Sequence, residues 1–262
     1  MSFVTAILVG GFGNRVFIIH TALYYAQMTN RKFVLVKEFI KPNLHESEQI
    51  TTESLEKLFF PFDIYRGSDY RNWHRITDPE QNAFKYQQIP SYKGKSIVFE
   101  GYFQHPKYIP VSVKSPNLIK KHHTYFLHIR LGDYCNTNYD IPLKNYYSNA
   151  IITIKNDDPD AKFLIFCNEN NKVNEYILNT ITVQFDYQIS KAETAYDTLN
   201  EMSSCAGAIC ANSSLSWLGA YYQSEPKKNI YMPHPWMKNK MNIDLYPKWA
   251  KIIDIYKSIN VE

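Results

Sequence analysis

The chain has 262 residues, 45% hydrophobic and 21% charged, with a net charge of +4, which gives room for two domains of ordinary size with real cores. Its basic residues are scattered, with short clusters such as Lys120-Lys121 and Lys227-Lys228, so a nucleic-acid stripe is excluded, while the mild positive bias suits a phosphate-bearing ligand. No run approaches about 18 apolar residues, and Met1-Ser2-Phe3-Val4 lacks a signal pattern, so neither a membrane span nor export is expected and a cytoplasmic protein is. Cys135, Cys167, Cys205 and Cys210 show neither metal spacing nor a disulfide framework, which fits a reducing compartment.

In chain order, Thr5 to Val9 reads as a short buried strand, followed by Gly10-Gly11-Phe12-Gly13-Asn14. Arg15 to Met28 is apolar almost all round, so a helix packed on more than one side is expected. Lys32 to Val36 reads as a second strand. The unit is βαβ, with a right-handed crossover. A glycine turn opening a helix is a phosphate site in principle, because helix amides carry partial positive charge and glycines allow close approach. The dinucleotide fingerprint nevertheless fails, since its sixth place counted from Gly11 is Val16. From Phe39 to Tyr92 the pattern weakens. Leu55 to Phe60 reads as a short helix ending before Pro61, and Trp73 and His74 are either loop-anchoring packing residues or acceptor-facing ones. Ser96 to Glu100 reads as a strand. The prolines at 106, 110 and 116 suggest an extended linker, so two domains are expected, 1–118 and 119–262, with the boundary near 116–121.

The second half alternates strand and helix: a strand at Tyr125, a helix over Lys144–Lys155, a strand over Lys162–Cys167, a helix over Asn171–Asn179 and a strand over Val183–Tyr187. A helix over Thr194–Cys205, a strand over Gly207–Ala211, a helix from Asn212-Ser213-Ser214 to about Tyr222 and a strand over Asn229–Met232 follow. Such alternation implies an α/β fold with a parallel sheet covered on both faces. Trp249, Ile252, Ile253 and Tyr256 stand at helical spacing, which predicts a last helix from Pro247 to Ser258.

Two strand-to-helix handovers carry chemistry. In His128-Ile129-Arg130-Leu131-Gly132-Asp133-Tyr134, His128 and Arg130 share a strand face at the place where open α/β sheets bind ligands. A fixed cation beside an imidazole, then a turn and a carboxylate, suits an anionic ligand; an Arg-Asp pair there also serves as a plain turn-holding salt bridge. In Ala211-Asn212-Ser213-Ser214, small polar residues either cap the next helix or join its amides and Arg130 in holding a diphosphate. Asp158-Pro159-Asp160, superficially like the acidic pair of metal-dependent sugar transferases, reads as a surface turn. No required metal is inferred.

Gly10-Gly11-Phe12-Gly13-Asn14, Glu100-Gly101-Tyr102-Phe103-Gln104, His128 to Tyr134, and Met202-Ser203-Ser204-Cys205 leading to Ala211-Asn212-Ser213-Ser214-Leu215-Ser216-Trp217 together resemble, in order, the motifs of the α-1,2-fucosyltransferase family. The resemblance implies a GT-B fold of two Rossmann-like domains facing a central cleft, with the GDP-sugar mainly on the C-terminal domain and the acceptor on the N-terminal one. It also implies inverting, metal-independent transfer of L-fucose from GDP-fucose to a glycan hydroxyl. By matching positions, Arg130 would bind the diphosphate, His128 would lie against the donor, and Asn212, Ser213 and Ser214 would meet phosphate. Asp197 would be a candidate for the nucleoside, and Gly11, Gly13 and Asn14 would meet the donor from the other domain. Three departures stand out: Arg15 where the family has glutamine, Leu131 where many members have arginine, and Phe166-Cys167-Asn168-Glu169 in place of Phe-Ser-Asp-Asp.

In a single displacement at an anomeric carbon, negative charge grows on the leaving diphosphate, and Arg130 with helix amides would meet it. Asp133 is the first candidate for a general base and Glu100 the second, although Asp133 could instead orient Arg130. The rival expectations are a transferase for another GDP-6-deoxyhexose, or a non-catalytic sugar-nucleotide or glycan-binding protein of the same fold.

Overall fold

A computed structural model describes residues 2–43, 45–78, 84–109, 119–224, 226–240 and 243–257. The chain divides into two compact units, Met1–Lys114 and Ser115–Glu262. The expected domain boundary, at 118, lies outside the described residues.

In the first unit, β1 (Phe3–Ala6) runs through the glycine turn into α1 (Phe12–Met28), then β2 (Lys32–Phe33), α2 (Glu48–Leu58), β3 (His74–Thr77) and β4 (Ile97–Glu100). The sheet order is β2-β1-β4-β3, and every pairing is parallel. Val16, Phe17, Ile18, Ile19 and Ala22 of α1 are fully buried, as its all-round apolar pattern requires. The expected second strand shrinks to two residues, but the following chain still bonds in parallel, with Leu35 bridging Ile64. The helix read at Leu55–Phe60 is longer, starting at Glu48 behind Ser47, whose side chain accepts from the Ile50 N–H.

In the second unit, β5 (Lys121–Ile129), α3 (Lys144–Asp157), β6 (Lys162–Cys167), α4 (Val173–Thr180), β7 (Tyr187–Ile189), α5 (Ala195–Ser204), β8 (Cys205–Ile209), α6 (Ser214–Tyr221), β9 (Ile230–His234) and β10 (Lys251–Asp254) follow. The sheet order is β10-β9-β8-β5-β6-β7, all parallel. Taken from the first strand of the unit, this is the doubly wound nucleotide-binding order 3-2-1-4-5-6. Phe126, Leu127 and Ile129 are fully buried, as are Tyr146, Ile151 and Ile165. The apolar strand runs, with no polar alternation, are what a sheet covered on both faces produces.

One expected element, a helix over Pro247–Ser258, is overturned: its described residues, 247–257, form no helix. Lys251–Asp254 is an edge strand, with Ile252 opposite Met232 on β9. Its adjacent β-branched residues favour a strand, and Ile252 and Tyr256, which the helical spacing would bury, are 42% and 62% exposed. Here the 3.6-residue period was coincidental. Two further strands lie a few residues from where the sequence places them: β7 begins at Tyr187 and β8 at Cys205.

Candidate active site

The second sheet reverses its winding between β5 and β8, since the chain leaves β5 for β6 and β7 and returns to β5's other side at β8. Ligands of open α/β sheets bind beyond the carboxyl ends of the strands at such a switch point. The registers Ile129 with Cys167 and Leu127 with Ile209 place Arg130 beside Asn168 and level with Asn212. The sheet itself therefore assembles the site.

Arg130 leaves the end of β5 with its side chain only 15% exposed. Its Nε lies 3.0 Å from Asp133 Oδ1 and its Nη2 2.7 Å from Oδ2, a fork-on-fork geometry that fixes a guanidinium plane. Asn168 braces the turn from β6: its Oδ1 accepts from the Leu131 N–H at 2.8 Å, and its Nδ2 donates to Leu131 O at 2.8 Å and to Asp133 Oδ1 at 3.2 Å. Gly132 has φ +63°, a left-handed conformation that favours glycine in this turn.

Tyr134 connects this turn to α6. Its ring lies under the guanidinium, 5.4 Å from Cζ to centroid, and its hydroxyl donates to Asn212 O at 3.2 Å and shares a hydrogen bond with Ser213. Ser213 is the N-cap of α6, its side chain accepting from the Leu215 N–H. Ser214 is the first helical residue. Arg130, Ser213 and Ser214 are thus brought to one edge, as the sequence requires of a diphosphate site. The Asn212 side chain also serves the fold. Its Nδ2 donates to Tyr139 O and Trp236 O, each at 2.9 Å, stitching three segments together. Asp197 lies in the first turn of α5, where its carboxylate accepts from the Thr194 hydroxyl at 2.7 Å. A helix preceding a parallel strand starts at that strand's carboxyl edge, so Asp197 shares the edge with Arg130.

His128 is 3% exposed, and its Nδ1 has no hydrogen-bond partner among the described residues. Burial first, and then the charge of Arg130, hold its pKa down at about 3. It is a neutral imidazole at physiological pH, able to donate or accept a hydrogen bond but not to supply charge. Asp133 has both oxygens engaged by Arg130, which makes it an orienting group in this state.

The first unit has its own switch point, between β1 and β4. There Gln104 Nε2 donates to Asn14 Oδ1 at 2.6 Å, and α1 starts at Gly11 and Gly13 without a side-chain cap or first-turn acid. Arg15 is fully buried; its Nε donates to Gly10 O at 2.9 Å and its Nη2 to Lys41 O at 2.5 Å. This arginine holds the turn from within. Glu100 Oε2 is 2.8 Å from Arg75 Nη1 in an exposed pair. Trp73 is 7% exposed and stacks on Phe3, which is the packing role.

Asp158-Pro159-Asp160 lies between the end of α3 and the start of β6, at the sheet edge opposite Arg130. Asp158 accepts there from the Tyr125 hydroxyl at 2.8 Å and from the Asp160 N–H at 3.3 Å, the turn expected. Among the described residues, His123 with these two carboxylates is the one group with metal-ligand proximity, and topology separates it from the arginine. Sequence reasoning left out Tyr134's bridging role and Asn168. The latter stood in view only as a departure from a motif.

Two α/β units with parallel sheets, the second in the doubly wound order with a braced arginine at its switch point, give the chain an α/β fold of the GT-B kind. No family model matches the chain. It is 23% identical to an α-1,2-colitosyltransferase of Escherichia coli over 96% of this chain and 99% of that protein. It is 28% identical to the O-antigen biosynthesis glycosyltransferase WbnK of Escherichia coli over 46% of this chain and 43% of that one. Among solved structures, the fucosyltransferase NodZ from Bradyrhizobium is similar at TM-score 0.52 and 12% identity, over 85% of this chain and 94% of that one. A NodZ α-1,6-fucosyltransferase co-crystallized with GDP is similar at TM-score 0.50 and 10% identity, over 85% and 93%. The chain is a glycosyltransferase with a fucosyltransferase-like fold. Among the described residues no helix is long and apolar enough to cross a membrane.

Proposed function

We propose that the chain transfers L-fucose from GDP-fucose to a hydroxyl of a glycan acceptor, with inversion, without a metal ion, and with formation of an α-1,2 linkage. The observation that carries this reading is the presentation of Arg130, held by Asp133 and Asn168 at the switch point next to the start of α6.

The chemistry follows from where charge develops. As the acceptor oxygen bonds to the anomeric carbon, the bond from that carbon to the diphosphate breaks and negative charge grows on GDP. Arg130 and the first amides of α6 supply positive potential that is already oriented, the role a divalent cation plays in other transferases. Ser213 and Ser214 contribute hydroxyls, and Asp197 binds the nucleoside from the start of α5. His128, neutral and with an open ring nitrogen, offers a hydrogen bond to the donor. Asp133 holds the arginine and stays the first candidate for the proton acceptor, with Glu100 the second; each carboxylate is paired with an arginine in this state. The uncapped start of α1, with Gly11, Gly13 and Asn14, offers the same kind of anion-binding surface in the first unit.

A second reading has one specific support: the relative spanning 96% of this chain is named for colitose, so another GDP-linked deoxyhexose is the competing donor. Calorimetry with GDP, UDP and NAD, without divalent ions, tests the nucleotide; GDP alone is expected to bind, and saturable binding by NAD alone would sink the transferase reading. Initial rates with GDP-fucose and GDP-colitose then decide the sugar, with the higher kcat/KM expected for GDP-fucose. Addition of EDTA is expected to leave the rate unchanged.

A further inference from the structure

The first unit contains a cavity of about 200 Å³ that the donor chemistry leaves unused, with Arg75, Thr77, Asp78, Gln87, Gln88 and Tyr92 among its lining residues. It opens where β3 ends, since Thr77 is the last residue of that strand and Asp78 continues the pairing through its N–H to Glu100 O at 2.9 Å. It therefore lies at the carboxyl edge of a parallel sheet, the edge that binds ligands in this architecture. It is one strand removed from the β1/β4 switch point.

The wall formed by residues 87–92 is built rather than loosely draped. Gln87 is held at both ends by Tyr108: its N–H donates to the hydroxyl at 2.8 Å, and the hydroxyl donates to its carbonyl at 3.0 Å. The Tyr25 hydroxyl bonds Pro90 O at 3.0 Å and receives the Tyr92 N–H at 3.2 Å. The Tyr92 ring rests on His74, centroids 4.0 Å apart. Across from this wall, Asp78 Oδ2 accepts the Phe103 N–H at 2.7 Å. Its approach to the chain requires glycine at 101, where φ is +136° and a Cβ would meet Asp78 Cβ at 2.5 Å. A backbone wall, a ring and a carboxylate held in this way are the mark of a preorganised site.

Size and chemistry select the ligand. The volume is below the roughly 300 Å³ at which pockets for drug-sized ligands begin, too small for a nucleoside diphosphate and suited to one sugar ring. A diphosphate is also disfavoured by charge, because Asp78 lines the cavity and the cation in the same lining, Arg75, is already paired with Glu100. A carboxylate and two primary amides offer acceptors and donors that match vicinal hydroxyls, and a tyrosine ring offers a face for sugar C–H groups. Burial raises the pKa of Asp78, which favours hydrogen-bond sharing with a hydroxyl. We propose that this cavity is a subsite for one hexose ring of the acceptor saccharide, held by Asp78, Gln88 and Tyr92. This deepens the transferase reading and rests on it for the word acceptor.

Saturation-transfer NMR on the full chain tests it, with methyl β-galactoside, methyl β-glucoside, methyl α-mannoside and methyl β-N-acetylglucosaminide as probes and no donor present. At least one probe is expected to give signal, with affinity weakened about fivefold by Gln88→Ala, as one lost hydrogen bond implies, and weakened also by Asp78→Asn. Gln88 is exposed and the asparagine keeps an acceptor for the Phe103 N–H, so both variants should fold. GDP affinity, measured on the same samples, is expected to stay unchanged. No signal from any of the four sugars, or equal signal in wild type and both variants, would overturn the subsite. Failure of GDP to bind the unmodified chain would overturn the donor reading instead, while the sugar signal still reports on this cavity.

Discussion

The guanidinium of Arg130 and the carboxylate of Asp133 form a two-bonded pair, 3.0 Å from Nε to Oδ1 and 2.7 Å from Nη2 to Oδ2, that leaves Nη1 as the terminal nitrogen outside the fork. An exposed ion pair contributes little to stability, and Asp133 is 38% exposed in its side chain. The pair is therefore better understood as an aiming device than as a fold-stabilising contact. Arg130→Ala is expected to lower kcat by about 10²–10³, the usual loss for one preorganised donor to a developing oxyanion, with little change in Tm. Arg130→Lys restores charge without the fork and should recover only part of the rate. Steady-state kinetics with GDP-fucose, beside thermal melts, checks both; turnover within a few fold of wild type in the alanine variant would remove Arg130 from the leaving-group role.

Asn168 reaches the same arginine from the neighbouring strand, through two bonds to Leu131 and one to Asp133. Asn168→Asp, which restores the acid found in the related motif, removes the Nδ2 donor and sets a second carboxylate beside Asp133. Like charges at that range repel, so the Arg130–Asp133 pair should loosen. The expected result is a fall in kcat of about tenfold or more, about 1.4 kcal/mol, with a smaller change in the KM for the donor. Asn168→Ala should lower kcat too, and a pH-rate profile separates the two variants, because only the aspartate introduces a titrating group at the site.

Much of this was legible in the sequence for a physical reason. Strands buried on both faces give continuous apolar runs, and Lys162–Cys167 was readable to the residue. The places of Arg130 and Ser213 just past strand ends were legible because each follows a continuous apolar run. Partners from distant parts of the chain were harder to read: nothing near Arg15 in sequence announces that it reaches Lys41 O, and nothing near Asn168 announces Leu131. Edge elements were worst. The β10 edge strand carries Ile252 outward, so its side-chain pattern reports no single buried face, and β3 was hidden by short irregular neighbours.

Two of the buried histidines, His20 and His128, are expected to contribute to the acid side of stability. His20 and His128 both have pKa values held down at about 3, His20 by burial and His128 by burial and then by Arg130, against 6.5 in the unfolded chain. Between pH 6.5 and 3 the unfolded state binds protons that the folded state refuses, so stability falls as pH falls through that window and is flat above it. The slope is at most about 1.4 kcal/mol per pH unit for each group. Urea unfolding of the full chain at pH 7.5 and pH 5 should show this loss, and His20→Leu should reduce it by about half. Equal pH dependence in wild type and variant would show that His20 is not held neutral by the fold.

Asn212 separates a structural from a ligand-binding role at the start of α6. Its Nδ2 donates to Tyr139 O and Trp236 O, and the residue is 2% exposed, so Asn212→Ala strands the buried Trp236 carbonyl, while Tyr139 O keeps the Ile141 N–H. One unsatisfied buried group costs about 1–3 kcal/mol, which predicts a clear drop in the urea midpoint. Ser213→Ala, by contrast, loses a cap bond already 3.3 Å long and a bond to Tyr134, worth about 1 kcal/mol or less in stability. If Ser213 meets the donor phosphate, its removal should weaken GDP binding more than it lowers the midpoint, and Asn212→Ala should do the reverse. Measuring GDP affinity and urea unfolding on both variants decides the matter, and the same ordering of the two variants in both assays would refute the division of labour.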